Sequence, residues 1–305
     1  MQKILQDAYQ YASCSLGKRR PASYIPELAG ADPFHLAIAV TDLAGNVHAV
    51  GSSKVRFTMQ SISKVVLLAL ALRLCGYDRT FQRVGVEPTG DPFNSIVRLE
   101  TGSTKRPSNP MINAGAIAVT SCIPGDSPQE RFARVLDYAR ELLGNPALDY
   151  DRKVFHSESA TGSQNRALAY MMAANGVIPE NVPDILEVYF KTCSLSVNCE
   201  EISFLGAVLA NNGICPRTGR MLIEPFHVRV IRSLMCTCGM YDDSGEFALR
   251  VGFPAKSGVG GGIMGVVPGR MGIGTYCPAL DQKGNSLCGL RAMEYLSQAL
   301  DLSLF

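Results

Sequence analysis

Apolar and polar positions change their rhythm twice along the chain. Ile4 to Ser13 reads as a helical segment and is followed by a proline-broken loop carrying Tyr24-Ile25-Pro26. Leu36-Ala37-Ile38-Ala39-Val40, the turn Asp42-Leu43-Ala44-Gly45-Asn46 and the run Val47 to Phe57 then predict a β-hairpin. From Ser61 to about Met235 the rhythm is mostly that of helices broken by proline and glycine, over Gln129 to Leu143, Asn165 to Ala174, Pro183 to Lys191, Cys199 to Asn211 and Val228 to Met235. Strand-like runs return at Phe247 to Gly252, Ala255 to Val259, Ile263 to Val267 and Met271 to Tyr276, before Asn285 to Leu300 closes as an amphipathic helix. Strands from both chain ends around a helical middle predict an α/β (α+β) fold: one antiparallel sheet built from the termini, flanked by helices, with a helical insertion. The expected organisation is one domain over residues 1–305, with 1–60 and 236–305 as its sheet part and 61–235 as its mainly helical part.

The most informative stretch lies where the second rhythm begins. Ser61-Ile62-Ser63-Lys64 sets a hydroxyl and an amine three residues apart, just before Val65 to Leu72, which reads as a helix apolar on every side and therefore buried. If Ser61 opens that helix, both side chains share one face, a serine nucleophile with a lysine to take its proton. The bland reading is a serine cap with a snorkelling lysine. Ser15-Leu16-Gly17-Lys18 repeats the spacing, but it runs into Arg19, Arg20 and Pro21, a basic, helix-ending stretch that offers no water-excluded pocket.

With 305 residues, 47% hydrophobic and 18% charged, the chain can bury a large core. A net charge of +2 without long runs gives no footprint for nucleic acid or an anionic membrane. The longest apolar stretch, near Val65 to Leu74, is about half the ~20 residues that span a bilayer, and Met1 to Asp7 lacks a signal peptide's apolar core. The expected location is the cytoplasm, where ten cysteines without a Cys-x-x-Cys pair are most simply reduced thiols. The four histidines form no ligand-spaced cluster with Cys236 and Cys238, so neither a metal nor another cofactor is expected.

Ser-x-x-Lys opening the helical part, with Lys256-Ser257-Gly258 on a late strand, resembles the serine β-lactamase and penicillin-binding-protein pattern, Ser257 keeping the hydroxyl of the usual threonine. Within that superfamily the chain looks like a bacterial glutaminase. The segments that carry the resemblance are Tyr24-Ile25-Pro26, Gln60-Ser61-Ile62-Ser63-Lys64, Asn109 to Ala116, Glu158-Ser159 with Asn165-Arg166, Tyr189-Phe190, Cys238 to Asp242 and Lys256 to Gly261. The resemblance implies hydrolysis of L-glutamine to L-glutamate and ammonia through a Ser61 acyl-enzyme. Lys64 would be the base and Tyr241 a proton relay, and the Ser61 and Val259 backbone N–H groups would form an oxyanion hole. It assigns substrate binding to Tyr24, Gln60, Ser61, Asn113, Glu158, Asn165, Tyr189, Tyr241 and Val259, with Glu158 the natural partner of the α-ammonium. It also implies a homodimer or homotetramer. Gly258 and Gly260 would let the strand approach the substrate closely.

Two other readings compete: a hydrolase of D-alanyl or β-lactam amides, whose substrate lies outside the cytoplasm, and a catalytically silent sensor, against which the intact Ser61, Lys64 and Tyr241 set speaks. Gly260-x-Gly262-x-x-Gly265 fits a dinucleotide fingerprint, but Ile263 to Val267 reads as a strand ended by Pro268, without the helix that would capture a pyrophosphate.

Overall fold

In the computed structural model, which describes residues 1–89, 95, 99 and 105–305, the first hairpin forms as Ala37–Asp42 (β1) paired antiparallel with Val47–Gly51 (β2). Asp42 closes its turn by accepting from the Ala44 and Asn46 backbone N–H groups, each at 2.9 Å. Phe57–Thr58 (β3) leaves this sheet and pairs with Ser196–Val197 (β4), a two-residue strand inside the helical middle. The predicted run from Val47 to Phe57 is therefore two strands, separated where Gly51 turns the chain at φ +75°. Ala255–Gly258 (β5), Gly262–Val267 (β6) and Met271–Tyr276 (β7) complete a five-stranded sheet in the order β2-β1-β7-β6-β5, with every pairing antiparallel. The glycine pattern at 260–265 lies in the β5–β6 hairpin.

Among the described residues, helices occupy Gln2–Ser13 (α1), Pro26–Ala29 (α2), Ser63–Phe81 (α3), Asn113–Thr120 (α4), Pro128–Leu143 (α5), Arg152–Thr161 (α6), Ser163–Ala174 (α7), Val182–Cys193 (α8), Cys199–Ala210 (α9), Pro225–Cys238 (α10), Ser244–Arg250 (α11) and Leu287–Leu300 (α12). Helix α11 corrects the expected strand over Phe247 to Gly252. A strand would put Phe247, Leu249 and Val251 on one face, yet Phe247 and Val251 are buried while Leu249 is 89% exposed. The burial repeat is helical, and a Glu246–Arg250 pair one turn apart supports it at 2.7 Å.

Side-chain alternation gives the sheet two apolar faces. Ile38, Val40 and Ile273 join α1 and α12 in one core, whereas Ala37, Ala39, Met264 and Val266 join the helical core on the other side. That second face is held very close to α9. A Cβ on Gly272 would stand 2.0 Å from Ala207 N, and one on Gly274 would stand 2.4 Å from Cys199 O, so the strand is stripped of side chains where the helix crosses it. The stretch Gln60–Phe81 is long and apolar enough to cross a bilayer by length and composition alone, a longer stretch than the sequence reading allowed. Here it runs through the core, Val65 to Leu72 being buried, until the helix kinks at Gly76, φ +79°.

Candidate active site

Ser61 sits in a single 3-10 turn, Gln60–Ile62, between β3 and the start of α3. The turn is fixed at both ends: the Met59 N–H donates to Leu195 O at 2.9 Å, and Ser63 Oγ donates to Gln60 O at 2.7 Å. Gln60 has φ +47° and Tyr241 φ +55°, a region that disfavours residues with a Cβ. Two of the few such positions thus fall on the candidate site, where backbone strain tends to collect. Gly258 and Gly260 explain how the C-terminal strand reaches it. A Cβ on either would lie 2.5 Å from a carbonyl, Met59 O and Thr58 O respectively. The close approach they permit is to the backbone carrying Ser61, which differs from the approach to substrate expected from the sequence.

Eight predicted residues, Tyr24, Gln60, Ser61, Asn113, Glu158, Asn165, Tyr189 and Val259, line one cleft of about 610 Å³ counted to its open mouth. Tyr241 is hydrogen-bonded to Ser61, and Lys64 reaches Asn113 of the cleft wall, so the predicted residues gather around this cleft. Lys64 is 1% exposed, and its Nζ donates to Asn113 Oδ1 at 2.7 Å and Met111 O at 3.3 Å. Burial brings its amine down from 10.5 to about 8, opposed by Cys193 and Glu158. Asn113 in turn donates to Asn165 Oδ1 at 3.0 Å, linking the lysine to the cleft wall.

Tyr241 donates from its hydroxyl to Ser257 O at 3.1 Å, and the same oxygen interacts with the Ser61 side chain and the Val259 N–H. Burial pushes this phenol well above the usual tyrosine range, against those two interactions. Neither the Ser61 nor the Val259 N–H donates to a main-chain carbonyl among the described residues, as expected for the first turn of a helix and for a residue just past a strand end.

At the opposite wall Glu158 is buried, its carboxyl raised from 4.5 to about 7 by burial, against a Gln60 amide donor and the nearby Lys64 charge. Gln60 Nε2 lies 3.4 Å from Glu158 Oε2 and 3.2 Å from Thr58 Oγ1. The Tyr24 side chain is 57% exposed, yet its hydroxyl sits near Tyr241 and Glu158. Tyr189 is buried and its phenol is raised by burial, then by Cys193 and Glu158.

Two neighbours were not assigned roles from the sequence. Cys193, one of the ten cysteines expected to be reduced thiols, forms part of the cleft wall, and burial followed by the Glu158 charge raises its thiol. Lys256 was noticed only as motif. It is fully buried, its Nζ donates to Ser257 O at 2.8 Å and Gly239 O at 2.9 Å, and it lies 4.5 Å from the Tyr241 ring centroid. Burial, then Lys64, holds it well below the usual lysine range. No His, Cys, Asp and Glu cluster suited to a metal occurs among the described residues.

A serine and a buried lysine at the start of a core helix, facing the edge strand of an antiparallel sheet made from both chain ends, place the chain in the β-lactamase-like fold class. Comparison with known proteins places the chain more closely. The sequence profile of the family described as glutaminase matches residues 20–305. The chain is 54% identical to glutaminase 2 of Clostridium perfringens over 284 residues, 93% of each chain. Among solved structures, the probable glutaminase ybaS superposes with a TM-score of 0.95 at 38% identity, covering 100% of this chain and 97% of that one. The Bacillus subtilis glutaminase YbgJ, solved as a covalent complex with 5-oxo-L-norleucine formed from 6-diazo-5-oxo-L-norleucine, superposes with a TM-score of 0.91 at 36% identity, covering 100% and 99%. The chain belongs to the glutaminase family and is an enzyme of that family.

Proposed function

We propose that this protein hydrolyses L-glutamine to L-glutamate and ammonia through an acyl-enzyme on Ser61, with Lys64 as the base. The observation that carries the reading is the setting of Lys64. Its two acceptors, Met111 O and Asn113 Oδ1, match the two N–H bonds of a neutral amine and leave the lone pair over for the Ser61 proton. Ser61 Oγ attacks the side-chain amide carbon while its proton passes to Lys64, and the oxyanion that forms is met by the Ser61 and Val259 N–H groups. Tyr241, in contact with Ser61, carries the proton on to the departing nitrogen. Ammonia leaves, a water attacks the ester in the reverse sense, and glutamate is released.

Recognition of the substrate's far end is supported by charge. Glu158 is the acidic side chain lining the cleft, buried and suited to an α-ammonium, whose arrival would favour the ionised carboxylate. The first turn of α7, without a side-chain cap, opens onto the same cleft at Gly162, Gln164 and Asn165, and its N–H groups with the neutral Tyr24, Asn113 and Tyr189 suit the α-carboxylate. The diazoketone adduct of the Bacillus subtilis relative is what a nucleophile beside a glutamine-shaped cleft would give. The test is ammonia release from glutamine by the wild type and by Ser61→Ala. Release by the first and none by the second is expected; equal release by both would refute the nucleophile, and none by either would refute the substrate.

A further inference from the structure

The turn Asp281–Asn285 lies outside the cleft and no step above uses it, yet it faces both groups that Ser61 depends on. A Cβ placed on Gly284, φ +88°, would come into ordinary contact with Val259 Cγ1 at 3.7 Å and Tyr241 Cε2 at 3.8 Å, so this backbone runs about one methyl group away from the relay ring and the oxyanion residue together. The adjacent Lys283 reaches back, its Nζ 2.5 Å from Asp243 Oδ1 and 3.5 Å from Glu246 Oε2. Asp243 belongs to the same 3-10 turn as Tyr241 and is 9% exposed. The clamping turn is itself stiff: Asp281 Oδ1 accepts from the Lys283 N–H at 2.8 Å and the Asn285 N–H at 2.9 Å, and Asn285 Nδ2 reaches Met240 O at 3.4 Å.

Tyr241 requires such a restraint, because its positive φ is a conformation that an L-residue abandons unless its surroundings hold it. We propose that the Asp281–Asn285 turn is a clamp that fixes the Tyr241 hydroxyl against Ser61, with Lys283 as a positioning residue whose ion pair to Asp243 latches it. The inference rests on the reading of Tyr241 as the proton relay. Because the Lys283 side chain is 43% exposed, its pair adds little to overall stability, whereas a proton-transferring oxygen displaced by about 1 Å costs on the order of 100-fold in rate. The latch should therefore register in turnover more than in folding or in substrate affinity.

The experiment compares wild type, Lys283→Met, Lys283→Arg, Asp243→Asn and Tyr241→Phe by ammonia release and thermal unfolding. Lys283→Met should lower kcat about tenfold with KM within about twofold of wild type, and Lys283→Arg should recover most of the loss. Asp243→Asn should repeat the loss, and the double variant should be no worse than either single one. Asp243→Asn carries the test should Lys283→Met fail to fold. Wild-type kcat in both Lys283→Met and Asp243→Asn, a loss confined to KM, or no recovery with arginine would overturn the clamp. If Tyr241→Phe is inactive while the latch variants are unaffected, the clamp alone falls. If Tyr241→Phe turns over like the wild type, the relay reading falls and the clamp with it.

Discussion

Replacing Lys64 by arginine keeps a positive charge in place while removing any group able to accept the Ser61 proton. At about pH 7.4 an ordinary lysine is only ~0.1% neutral, whereas one brought down to about 8 is about one-fifth neutral. The burial of Lys64 is thus worth a gain of about 200-fold in competent enzyme, or ~3 kcal/mol. Arginine forfeits all of it, since a guanidinium does not deprotonate in this range, and Lys64→Ala lacks a base altogether. Both variants should lose about 10²- to 10⁴-fold in kcat, the usual share of general-base catalysis, while still binding glutamine. The assay is ammonia release across the neutral and mildly alkaline range, with binding followed separately by calorimetry. In the wild type kcat/KM should rise with pH and level off above about 8, because the free enzyme must hold neutral amine. Lys64→Arg that keeps a substantial part of wild-type turnover would refute the lysine base and leave Tyr241, assisted by a nearby charge, in that role.

Glu158→Gln should raise KM far more than it lowers kcat, and because the Glu158 charge holds Lys64 up, the pH limb should move to lower pH in this variant. The same change should stabilise the fold above about pH 7, since the wild-type carboxyl, raised from 4.5 to about 7, contributes stability below its unfolded value that is lost as pH rises through 7. Thermal unfolding at acid and alkaline pH reads this, and a Gln variant less stable at alkaline than at acid pH, relative to wild type, contradicts it. 6-Diazo-5-oxo-L-norleucine should label Ser61, with peptide mass mapping as the check; label on Ser15, or on a cysteine alone, sinks the assignment. Gly258→Ala should lower stability by about 1–3 kcal/mol and reduce kcat, because its methyl would meet Met59 O at 2.5 Å, and an unchanged melting temperature would show that the strand can move away.

The sequence carried the frame of the molecule unevenly. Met271 to Tyr276 was legible because turn residues bound a strand-like run, and α5 because a long periodic stretch leaves little choice. Phe247 to Val251 was misread because a short apolar run does not declare its period, which only the exposure of Leu249 reveals. Ser196–Val197 is too short to carry any period at all. In the site, Ser61 and Lys64 could be paired by local spacing, since three residues along a helix start is a physical neighbourhood. Tyr241, Val259 and Glu158 come from far along the chain, and only family resemblance joined them to Ser61. Lys256 and Cys193 were present as residues without a role, because the environment that gives them one, a buried amine under a phenol and a thiol beside a buried carboxylate, exists only after folding.

The sheet order sets a timetable for the nascent chain. Strand β1 leaves the ribosome well ahead of β7, one of its two neighbours, with Ala37 opposite Tyr276. Until that late strand emerges, the Ala37–Asp42 edge has hydrogen-bonding groups on one side and nothing to receive them, and the β5–β6 hairpin beside Val259 has no strand to join it to β1. Such distant pairing makes closure slow compared with the helices forming in between. A translation product that stops short of Met271 is accordingly no partial enzyme, but a polypeptide with an open apolar strand edge, ready to pair with a neighbour of its own kind.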